Sequence, residues 1–149
     1  MAATNIILQT AEVALVAATA KTVAQITAAT NVRVRVRGWG CSFDGVSTTQ
    51  EPVQCVLAFE STAGTGTSQA PVATDSDAVQ TIQTAGAVNF TAEPTLGNVI
   101  DSQECHPQTG FVIWWPPGHE PIIGAADRIG ITLTAPAAVN VRAKIYAEE

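Results

Sequence analysis

The chain has 149 residues, with 13 acidic against 7 basic side chains for a net charge of −6. That balance repels nucleic acid and anionic membrane alike, so neither is expected as a partner. Hydrophobic residues at 46% and charged ones at 13% exclude disorder and suffice for one domain, 1–149, with a single core.

The opening stretch, MAATNIILQTAEVALVAATAK, has no Lys or Arg before Lys21, and Gln9 and Glu12 break its apolar run. It fits neither a secretory leader nor a transmembrane span, so synthesis and folding in the cytoplasm are expected. Its β-branched residues predict short strands over 4–8 and 12–17, with a third over 21–27. The first ten residues carry no charge. They make a candidate arm, 1–10, that adds as an edge strand to a neighbouring subunit; pairing within its own sheet is the alternative.

The most informative stretch is 31–43, NVRVRVRGWGCSF. Val32, Val34 and Val36 alternate with Arg33, Arg35 and Arg37, the period of a strand with one buried and one wet face. After Arg37 the parity reverses, because Trp39, Cys41 and Phe43 occupy odd positions. A regular strand cannot bury both sets. A β-bulge or sharp bend is therefore predicted at Gly38–Gly40.

A polar turn, DGVSTTQEP, follows, and residues 53–60 alternate again as a half-buried strand. If the connection turns near Thr48, Cys41 and Cys55 fall opposite one another. A cross-strand disulfide is then geometrically open to them, with buried free thiols the plainer reading for three cysteines in a cytoplasmic product. Residues 61–70 read as a flexible loop or hairpin tip, 71–86 fit a helical turn or a strand equally, and 90–98 read as connection. Strands are predicted over 99–104, 111–115, 121–123, 128–134 and 138–146. Nine to eleven short strands without a long amphipathic helix predict an all-β, antiparallel β-sandwich or jelly roll.

Five of the seven basic residues, Arg33, Arg35, Arg37, Arg142 and Lys144, lie on the polar parity of two strands. They predict one positive face on an acidic protein, a docking surface for an acidic partner or a second copy, against an ordinary solvated sheet face. Trp114 and Trp115 must point to opposite sides of their strand. One is expected in the core and one, taken as Trp115, near the surface as a partner anchor or sugar platform. His106 and His119 lack paired ligand spacing and read as turn residues, and no nucleophile motif occurs. No catalytic, metal, cofactor or small-molecule site is therefore expected.

The motifs His106-Pro107-x-x-Gly110, Pro-Pro-Gly with Glu120-Pro121-Ile122-Ile123, Asp127-Arg128-Ile129-Gly130-Ile131 and Val139-Asn140-Val141-Arg142-Ala143-Lys144-Ile145-Tyr146 resemble small proteins encoded beside the major capsid protein of tailed bacteriophages. LQTAEVALVAATAKTVAQITAATN and the Phe43-Asp44-Gly45 turn fit the same pattern. The resemblance implies a capsid decoration, or cement, protein: β-rich, non-enzymatic, homo-oligomeric with a trimer favoured, and bound to the major capsid protein outside the virion head. The competing expectation is a carbohydrate- or receptor-binding jelly roll of a tail fibre or baseplate, with Trp114 or Trp115 near Asp101 and Gln103.

Overall fold

Alternating apolar residues at period two run through most of the chain, and each such run has found a partner strand. The computed structural model describes residues 3–149, and among them there are thirteen strands and no helix. In chain order these are β1 (Asn5–Gln9), β2 (Val13–Leu15), β3 (Ala20–Thr27), β4 (Val34–Phe43), β5 (Val53–Glu60), β6 (Thr65–Ser68) and β7 (Val72–Ala73). They continue as β8 (Ala85–Ala92), β9 (Leu96–Cys105), β10 (Gly110–Trp114), β11 (Ile122–Ile123), β12 (Arg128–Thr134) and β13 (Val139–Glu148).

Two antiparallel sheets form a β-sandwich. One has the order β10-β4-β13-β1-β7, with β11 also on β4 and β2 on β13; the other has the order β6-β8-β3-β12-β5-β9. The core between them is built from single-parity sets: Val141, Ala143, Ile145 and Ala147 of β13 face Ile129, Ile131 and Leu133 of β12 and Val53, Cys55 and Leu57 of β5, all buried. Each such side chain contributes about 1.5–3 kcal/mol on leaving water when fully buried, less for alanine.

The parity reversal in β4 is accommodated by an extra residue. Gly38 pairs with Tyr146 and Val36 with Ala147, so Arg37 is left over as the bulge. Val34 and Val36 before it, and Trp39 and Cys41 after it, all reach the core. The irregularity thus precedes Gly38 instead of lying between the glycines, and neither glycine has a positive φ. Their role is close approach. A Cβ on Gly38 would lie 2.6 Å from the Ile113 carbonyl oxygen of β10 and 2.9 Å from the Trp114 ring.

Four expectations change. The strand count exceeds nine to eleven because β8 is rich in Ala and Gly, β6 is a four-residue run interrupted by Gly66 and β7 has only two residues, so each is a strand chiefly through its neighbours. β9 begins at Leu96, inside the stretch read as connection. β4 and β5 form no hairpin, since they belong to opposite sheets; Cys41, Cys55 and Cys105 are free and buried, the plainer of the two readings. The Cys41 thiol is pushed well above its ordinary value by the neighbouring Cys55 thiol, with burial adding to the effect. Finally, the proposed arm is an internal strand within residues 3–10. β1 lies between β13 and β7 with Ile6 and Leu8 buried.

Candidate functional site

The outer face of the β10-β4-β13-β1-β7 sheet gathers most of the residues singled out in the sequence. Register places Trp114 beside Gly38, Gly38 beside Tyr146, Tyr146 beside Ile7 and Ile7 beside Val72. An apolar stripe therefore crosses all five strands. Trp114 (59% exposed) leans over the side-chain-free Gly38 to meet Tyr146, with ring centroids 4.6 Å apart and planes at 40°. Such a pair adds about 0.5–1.5 kcal/mol beyond area burial.

Next to the stripe, β4 presents only Gly40 and Ser42 on this face, leaving a trough of about 70 Å³. Val112 of β10 walls one side and Lys144 and Arg142 of β13 the other. On the opposite flank, Arg35 stands in register with Glu148 of β13 and with Ile122 of β11. An aromatic-aliphatic stripe is thus bracketed by cations from two strands, β4 and β13.

The five basic residues do not act alike. Arg37, swung out of register by the bulge, donates to Glu120 at 2.5 Å and also to Glu148. Glu120 is nearly inaccessible and also accepts from the Gly118 N–H at 2.6 Å. Backbone N–H groups, with Arg37 behind them, hold its carboxyl below the usual range. Arg37 therefore clamps the 116–121 turn to the sheet and leaves the open positive row expected for it. Arg142 makes a loose contact with Glu12 at 3.8 Å, both side chains about half exposed, a geometry worth little in water. Arg33 lies before β4 at the end of the sandwich, lining a cleft with Arg35, Ile122, Glu148 and Glu149. Arg35 and Lys144 have no ion-pair partner among the described residues.

Trp115 and Trp114 exchange the roles expected of them. Trp115 is half-buried and packs against the core, while Trp114 is the exposed ring. Trp115 N–H donates to the Arg37 carbonyl at 3.0 Å, so the chain continues alongside the bulge and its alternation carries the Trp115 ring inward. Asp101 and Gln103 lie on the other sheet and point inward. Asp101 accepts from Trp39 Nε1 at 3.0 Å and from Gln103 at 2.9 Å, which removes both from the neighbourhood of Trp114. His106 and His119 sit in turns closed by Thr109 N–H to the His106 carbonyl (2.9 Å) and His119 N–H to the Pro116 carbonyl (3.0 Å).

Comparison with protein-family models, curated proteins and solved structures finds no match to the chain. The face itself carries the functional argument. It sets exposed apolar side chains beside Arg35 and Lys144, which have no ion-pair partner among the described residues.

Sequence reasoning missed Tyr146, Ile7 and Val72 as members of this face. Tyr146 was legible as an outward residue of its strand, but only the strand order places it between Trp114 and Ile7.

Proposed function

We propose that this protein is a non-enzymatic structural component of a tailed-phage virion that binds the exterior of the capsid and stabilises the lattice as a decoration protein. The major capsid protein is its partner, and homo-oligomerisation would multiply weak contacts. The observation that carries the reading is the exposed Trp114–Tyr146 pair set among Arg35, Lys144 and Arg142 on a chain of net charge −6. An exposed aromatic anchor with surrounding cations suits a protein surface of opposite charge, which would desolvate it on binding. The motifs resembling proteins encoded beside the capsid gene support the same reading. A ligand that binds the assembled lattice better than free subunits stabilises it by mass action, with no chemistry required.

The test is co-sedimentation of the purified chain with phage heads that lack it. Reversing Arg35, Arg142 and Lys144 to Glu together with Trp114→Ala is expected to lower head occupancy at least tenfold, equivalent to about 1.4 kcal/mol or more. Undiminished occupancy removes the face from the interaction, and absence of binding by the unaltered chain removes the capsid role. The sugar-binding alternative loses support because Asp101 and Gln103 are spent on Trp39 and on each other. A glycan array with the same Trp114→Ala variant separates the two.

A further inference from the structure

Open sheet edges template association, and folded chains blunt them with short strands, bulges, prolines or inward charges. Three of the four edges here are blunted in these ways. β7 has two residues; β6 is Thr65–Ser68 with a register break against β8. β9 is long, but two register breaks bend it against β5 and Asp101 turns inward to Trp39. β10, GFVIW, is different. It has no charge, no proline and an unbroken register with β4 from Gly110 to Trp114.

We propose that the free edge of β10 pairs with the same edge of a second copy, continuing the sheet across a two-fold axis. The backbone directions define the pairing. Phe43 N–H donates to the Thr109 carbonyl at 3.3 Å and Trp115 N–H to the Arg37 carbonyl at 3.0 Å. Odd-numbered residues therefore bond β4, and the N–H and C=O groups of Gly110, Val112 and Trp114 point to the open edge. Antiparallel pairing about an axis at Val112 sets Val112 against its own copy and Gly110 against the partner's Trp114. Each of these pairs exchanges two hydrogen bonds, so every free edge group finds a partner.

The side chains agree with that register. The Trp114 indole would lie beside a residue without a side chain, as it already does over Gly38, an arrangement in which an aromatic covers an exposed glycine. Phe111 would meet the partner's Ile113 on the inner side, an aromatic–β-branched cross-strand pair. An uncharged strand opposes no like charges. The pairing is independent of the capsid reading, and its two-fold symmetry differs from the trimer that the resemblance implies.

Light scattering on the purified chain, without phage heads, tests it. A mass of twice 15.4 kDa is expected at high concentration, falling on dilution. Val112→Lys places two ammonium groups at the axis on a wet position and is expected to give a folded monomer. Val99→Lys, on the exposed part of β9, is expected to keep the dimer. A monomer at every concentration, a trimer, or a folded Val112→Lys chain that still dimerises overturns the proposal. Hydrogen exchange on the unaltered chain supplies a readout that needs no variant: Val112 N–H slows at high concentration if the pairing exists, and equal exchange at all concentrations refutes it.

Discussion

Glu60 sits on the outer side of its sheet yet is only 5% exposed. Its Oε2 accepts from Gln25 Nε2 at 2.5 Å, and the same amide donates to the Ala63 carbonyl at 3.1 Å. Its Oε1 has no hydrogen-bond partner. Burial pushes its carboxyl up to about 7, with Gln25 and Arg128 opposing. The folded state thus holds a proton that the unfolded chain releases near 4.5. This group's contribution is most favourable below that pH and is lost as pH rises through 7, by about 3 kcal/mol in all. Glu60→Gln is expected to remove that slope: its stability advantage over the unaltered chain should grow between pH 5 and pH 8, as read by urea midpoints. A constant difference across that range refutes the assignment. Arg37 makes the complementary case. Replacing it by Ala leaves Glu120 almost inaccessible without its cation, so the melting temperature should fall and the 116–121 turn should become the first segment cut by protease.

At the scale of elements, β4 carries the main lesson. Its reversal of apolar parity was legible from Val36, Trp39 and Cys41, and so was the need for an extra residue. Which residue is extra was not, because that depends on the neighbouring register: Tyr146 and Ala147 of β13 are consecutive, and only Arg37 lies between their partners. The glycines serve β10 instead of the backbone turn. Gly38→Ala would push a methyl to 2.6 Å from the Ile113 carbonyl and is expected to cost about 1–3 kcal/mol in chemical denaturation. An unchanged midpoint would mean that β10 can move away freely. β8 and β6 were illegible for the opposite reason. Ala, Gly and Ser dilute the strand signal that their threonines carry, and pairing with β3 together with the burial of Val88 and Phe90 makes β8 a strand, on which β6 then pairs.

At the scale of the molecule, the two sheets are joined by polar as well as apolar contacts. Trp39 of one sheet donates to Asp101 on the edge of the other, at the flank where β9 and β10 leave both sheets open. Asp101→Ala would strand a buried indole N–H, at a cost of about 1–3 kcal/mol, and would also take the inward charge from the β9 edge. Lower stability accompanied by faster aggregation is expected in thermal scans, whereas lower stability alone would show that the bulges suffice to protect that edge.

The sequence by itself determined the all-β class, the bounds of strands such as β5 and β12, the inward sets of β13 and the presence of a bulge, because period-two burial is written locally in residue order. Only the tertiary structure decided which outward residues meet. Arg37 was diverted to Glu120 and Glu148, Trp114 was exposed in place of Trp115, and Tyr146, Ile7 and Val72 were aligned with it, because lateral register and strand order arise from pairings between residues far apart in the chain.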